Sequence, residues 1–91
     1  MANTKSAIKR MKQNRKRRLR NRRYIGKSRV AVKKAREAIE NSDLGTAREL
    51  TRLAVSALDK AAEKGSIHKN NASRRKSRLM KKLAALEMEQ S

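Results

Sequence analysis

The side chains in this chain that can act on another molecule are its cations, and their order along the sequence matters. Lys5, Lys9, Arg10, Lys12, Arg15, Lys16, Arg17, Arg18, Arg20, Arg22, Arg23, Lys27, Arg29, Lys33, Lys34 and Arg36 all precede the first carboxylate, Glu37. No acid within this stretch relieves their mutual repulsion, so the chemistry open to them is neutralisation of a polyanion supplied from outside. A second acid-free tract, Gly65 to Lys82, carries Lys69, Arg74, Arg75, Lys76, Arg78, Lys81 and Lys82. Between the two, Glu37, Glu40, Asp43, Glu49, Asp59 and Glu63 nearly balance Arg48, Arg52, Lys60 and Lys64. That pattern describes a folded support presenting two cationic arms or faces to one polyanion.

Other chemistry finds little material. The one histidine, His68, has no second His, no Cys and no close carboxylate pair with which to build a metal site or a nucleophile and base, so neither an enzyme nor a metal centre is expected. His68 either simply opens a helix or, with the free N–H groups of a first helical turn, contacts a phosphate. Gly26, Gly45 and Gly65 lack the spacing of a nucleotide-binding loop, and no cofactor is expected. With 91 residues and 36% apolar composition the chain suits one small domain with a thin core, residues 1–91. The absence of Cys rules out disulfides and is compatible with a reducing compartment. No apolar run approaches a membrane span or a signal peptide. A basic, acid-free start also resembles an organelle transit peptide, but this one runs into a helical pattern without a cleavage-like break.

The elements that must position these cations read as all-α. Pro is missing, Gly is scarce, and Ala, Leu, Lys, Arg and Glu dominate. A first helix is expected from about Lys5, after Asn3 or Thr4 as cap, to about Asn41. The turn Asn41-Ser42-Asp43-Leu44-Gly45 leads to a second, capped by Ser42 or Asp43 and ending at Lys64-Gly65. Ser66 is then expected to cap a third helix reaching about Glu87. Apolar stripes run through Ile25, Ser28, Val32, Ala35 and Ile39, through Ala47, Leu50, Ala54, Ala57 or Leu58, and Ala61, and through Ile67, Ala72, Leu79, Leu83 and Leu86, the last thinned at Arg75 and Lys76. Short turns between one-sided helices predict an antiparallel three-helix bundle over residues 25–87, with closely approaching axes along an Ala-rich seam.

Residues 5–24 differ. Ile8, Met11, Leu19 and Tyr24 are the only sizeable apolar side chains there, and bases surround the helix rather than occupying one face. A helix from Lys5 to Asn41 is about 55 Å long against about 30 Å for the second, so the basic half must project as a helical extension. Alone in water its like charges at i, i+4 weaken it, and a polyanion restores it. Nucleic acid is the expected polyanion. A lone aromatic, Tyr24, argues against stacking on single strands, so recognition runs through phosphates, riboses and shape. The apolar stripe after Ile25 covers only about two heptads, too few for a basic zipper. A histone-like, nucleoid-associated DNA-binding protein remains the alternative on composition.

The opening Ala2-Asn3-Thr4-Lys5-Ser6-Ala7-Ile8-Lys9-Arg10 and the segment Lys64-Gly65-Ser66-Ile67-His68-Lys69-Asn70-Asn71-Ala72-Ser73-Arg74-Arg75-Lys76-Ser77-Arg78-Leu79 resemble the bacterial small-subunit ribosomal protein S-twenty family. The resemblance extends over essentially the whole chain. It implies a three-helix bundle with an extended first helix that binds small-subunit ribosomal RNA directly, low on the body of the particle, at the 5′ domain and the long penultimate stem. Thr4 stands where that family commonly has an apolar residue, and Ala35 where it has a bulky one, implying a tighter or weaker bundle. The expected function is thus structural: the protein clamps neighbouring RNA helices during assembly, in the cytoplasmic small subunit rather than an organellar one. RNA is the expected partner, with few protein contacts, no membrane and no small-molecule substrate. On the first helix the expected RNA contacts are Lys5, Lys9, Arg10, Lys12, Arg15, Lys16, Arg17, Arg18, Arg20, Arg22, Arg23 and Lys27. On the third they are His68, Lys69, Asn70, Arg74, Arg75, Lys76 and Arg78.

Overall fold

In the computed structural model, which describes residues 4–90, three helices follow one another: α1 (Lys5–Glu40), α2 (Leu44–Glu63) and α3 (Lys69–Glu89). Their ends follow from local chemistry. Thr4 Oγ1 accepts from the Ala7 N–H and Asp43 Oδ1 from the Thr46 N–H, so one otherwise free donor at each N-terminus is not left to water. The other suggested cap, Asn3, lies outside the described residues. Both α1 and α2 finish with paired reversed bonds. Ser42 N–H reaches Ile39 O and Asp43 N–H reaches Ala38 O; Gly65 N–H reaches Ala62 O and Ser66 N–H reaches Ala61 O. That closure needs a left-handed residue just past the cap. Gly65 takes it with φ 73°, and Ser42, without glycine's freedom, takes it with φ 58°. The glycine of the first turn, Gly45, sits inside α2 instead.

One cap differs from the sequence expectation. Ser66 does not open α3; its hydroxyl donates to Asn21 Oδ1 of α1 at 3.0 Å. His68 is the N-cap, its Nδ1 accepting from the Asn70 N–H at 3.1 Å, and the helix starts two residues later than a Ser66 cap requires. Ser66 N–H is already spent on closing α2, which keeps residues 65–67 in the turn.

Successive helices run antiparallel. Ser66, past the end of α2, meets Asn21, while Arg48 near the start of α2 meets Glu87 near the end of α3. The seam is small-residue packing: Ala35, Ala47, Ala54 and Ala61 are fully buried beside Leu58, and Ala38, Ala72, Leu79 and Leu86 nearly so. Ala35 sits directly against Ala54 and Leu79, so its small side chain gives a close axis approach. Of the two alternatives in the second stripe, Leu58 is inside; Leu50 and Ala57 are half-buried. Two polar residues join the core. Ser28 Oγ donates to Ile25 O at 2.8 Å, whereas the buried Thr51 hydroxyl has no protein partner. Helix α1 passes through Gly26 without a break. At 36 residues α1 is about 54 Å long against about 30 Å for α2. The molecule is therefore a rod of 65 × 20 × 14 Å. The first side-chain bonds from α1 to another part of the chain are made by Arg20 and Asn21, leaving the turns before them beyond the bundle.

Candidate nucleic-acid interface

From Lys5 to Leu19 every base is exposed. At 3.6 residues per turn, the consecutive Arg15, Lys16, Arg17 and Arg18 point in four directions, so charge encircles the rod. Ile8, Met11 and Leu19 are also exposed, at 45, 62 and 60%; none of the described residues folds back to cover them. Among the described residues, none of the cations preceding Glu37 is paired with a carboxylate. The carboxylates that do form ion pairs belong to the bundle: Glu87 takes Arg48 at 2.9 Å, Asp59 takes Lys76 at 2.6 Å, and Glu49 takes Arg52 on the same helix. The hydrogen bond and charge of Arg52 hold the Glu49 carboxyl below the usual carboxylate range and raise Arg52 in turn.

Where α1 enters the bundle, it meets the turn that leads into the second basic tract. Arg20 Nη2 donates to the Lys64 carbonyl at 3.4 Å, and Asn21 receives Ser66. These bonds tie the α2–α3 turn, and hence the start of α3, to the root of the projecting helix. Arg22, Arg23 and Lys27 lie just beyond on the exposed surface of α1. The ring of His68 spends Nδ1 on the helix cap, so the nitrogen it can offer a ligand is Nε2. Lys69, Asn70, Arg74 and Arg78 are exposed. Two residues of the expected set stand apart. Arg75 is half-buried with its Nε–H held by Asn71 Oδ1 at 3.0 Å. Lys76 is half-buried and ion-paired with Asp59, so it brings less uncompensated charge than its neighbours.

Arg36 and Lys82, cations outside the expected set of RNA contacts, line one cleft with Arg75 and Arg78. The signal was present in the 3-4 spacing of Arg75, Arg78 and Lys82 around Leu79. Asn21 and Asn71, which orient other side chains, carried no such pattern.

Residues 2–84 match the family model described as Ribosomal protein S20. A protein of Thermomicrobium roseum named "Small ribosomal subunit protein bS20" is 52% identical over 86 residues, covering 94% of this chain and 87% of that protein. The protein of the same name from Roseiflexus sp. is 58% identical over 84 residues, covering 92% and 91%. That of Geobacillus kaustophilus is 52% identical over 87 residues, covering 96% and 98%.

Proposed function

Because the chain belongs to the ribosomal protein S20 family, a structural and non-enzymatic component of the small ribosomal subunit, we propose that it binds small-subunit ribosomal RNA directly and clamps neighbouring RNA helices. One observation carries this reading: a basic rod extends past the bundle with all its cations free of carboxylates. RNA helices resist close approach because their phosphates repel. A cylinder charged all round, placed between them, neutralises several phosphate rows at once and releases their counterions. Binding runs through phosphate and shape, since Tyr24, the single aromatic residue, is half-buried and offers no stacking platform. The bundle fixes the angle and distance between this rod and the contacts of α3, which include His68, Lys69, Asn70, Arg74 and Arg78. Its place is the small subunit of the cytoplasmic ribosome, and the whole chain acts as one RNA-binding unit.

Competition binding between a folded small-subunit ribosomal RNA fragment and duplex DNA of equal length tests the proposal. Preference for the RNA at physiological salt is the expected result. Equal affinity for any duplex supports the nucleoid-protein alternative instead.

A further inference from the structure

The bundle carries a second cluster of cations, apart from the long basic rod. Between α1 and α3 lies a cleft of about 290 Å³, floored by Val32 and Leu79 and walled by Arg36 from α1 and Arg75, Arg78 and Lys82 from α3. No carboxylate lines it, and none of its four cations forms an ion pair among the described residues. Leu79 is 3% exposed, so the floor is low-dielectric protein, where charges act on one another more strongly than across open water. Arg75 is pre-oriented. Its Nε–H is already committed to Asn71, which leaves the two terminal amino groups as a fork suited to two oxygens of one tetrahedral anion.

From this geometry we infer that the α1–α3 cleft is a phosphate seat, in which Arg36, Arg75, Arg78 and Lys82 grip a phosphodiester group of the bound RNA. The inference rests on the RNA-binding reading and adds to it a discrete site within the bundle. It also gives the site a mechanical consequence. Helices α1 and α3 each pack mainly on α2 and touch one another sparsely, and the cations facing each other across the cleft push the two apart. A phosphate held by Arg36 on one wall and three bases on the other replaces that repulsion with a bridge. RNA then braces the bundle where its own packing is thinnest.

Two charge-matched variants of the full chain separate this site from diffuse attraction. Arg36→Gln with Lys82→Gln empties opposite walls of the cleft; Lys33→Gln with Lys81→Gln removes the same charge from the same helices at positions that do not line it. The cleft variant is expected to bind the small-subunit ribosomal RNA fragment more weakly than the matched variant by on the order of tenfold, the loss of charge-assisted bonds at a formed site. Equal losses in the two variants overturn the inference. In parallel, inorganic pyrophosphate is titrated into the free protein while the side-chain Nε–H signals of Arg75 and Arg78 are followed by NMR. Saturable shifts that vanish in the cleft variant are expected; shifts that rise linearly without saturating, or persist in that variant, contradict a seat. If the parent chain does not prefer RNA over DNA, the RNA reading fails by itself, and the pyrophosphate titration still decides whether the cleft binds anions. Saturation by pyrophosphate together with equal RNA affinity of the two variants assigns the cleft to free phosphate and overturns its role in gripping RNA.

Discussion

The projecting turns of α1 and the three-helix bundle are made of the same backbone geometry but are held by different forces. In the bundle, Ala35, Ala54, Leu58, Ala61 and Leu79 leave water together, and the carboxylates of Glu87 and Asp59 answer nearby cations. In the projection no residue is buried and no carboxylate is present. Its helix rests on its own backbone bonds and the Thr4 cap, against the repulsion of bases three and four residues apart. Burial therefore determines which part of this molecule is stable by itself, and charge determines which part waits for a partner. The two parts should respond oppositely to mutation, salt and pH.

The largest effect belongs to the core. Leu58 is fully buried and the largest apolar side chain that is so. Leu58→Ala should remove about 2 to 5 kcal/mol, a large share of the stability of so small a bundle. Thermal melting should fall steeply, and saturating RNA should partly restore it by mass action. An unchanged melting temperature would show that the bundle does not depend on its seam.

Next come the projecting cations. Arg15→Ala with Arg18→Ala touches no packing, so melting of the free protein should hardly move. RNA affinity should drop, and the slope of log affinity against log salt should become shallower by about one unit per lost phosphate contact. Melting that falls as it does for Leu58→Ala would mean the projection is part of the folded core.

A smaller effect sharpens the boundary between the regions. Gly26 lies within the bundle part of α1, and a Cβ added there meets nothing within 4 Å. Gly26→Ala should raise the melting temperature by an amount corresponding to up to about 1 kcal/mol. Asn14→Ala, in the projection, is an equally simple gain in helix propensity, but it should increase helical circular dichroism without moving the melting transition. A shift in melting for both would merge the two regions into one cooperative unit.

The smallest effect concerns pH. The Glu49 carboxyl, held down by the hydrogen bond and charge of Arg52, has a lower folded than unfolded value. Its contribution to stability is therefore present above the unfolded value and is lost as pH falls through the folded one. The pair is fully exposed, so Glu49→Gln should change melting near neutrality only slightly and flatten the acid-range decline by a small amount. The projection, with no carboxylate between Lys5 and Arg36, should show no such acid-range step in its helix content.

Much of this division was legible in the sequence because period and charge are local properties. The first stripe, the closing Gly65 and a cap at Ser42 or Asp43 follow from spacing and side-chain chemistry alone, and the helices begin and end near the residues those signals mark. The beginning of α3 was not legible. Ser66 is a good capping residue by type, but its hydroxyl is taken by Asn21, a partner 45 residues away that no local rule identifies. The choice of Leu58 over Ala57, and the inclusion of Thr51 in the buried face, depend on how α2 is rotated between its two neighbours. The cleft cations were hidden for the same reason. Arg36 looks like one more base in a long basic run until α3 brings Arg75, Arg78 and Lys82 opposite it.

Amide hydrogen exchange, read residue by residue in the free protein and in the complex with a small-subunit ribosomal RNA fragment, tests the central division most directly. In the free protein at low salt, amides between Lys5 and Leu19 should exchange nearly as fast as unstructured chain, while those around Ala54 and Leu58 are strongly protected. Binding of the RNA should bring protection to the first group. Strong protection of Lys5 to Leu19 in the free protein, or none after RNA binds, would contradict the account.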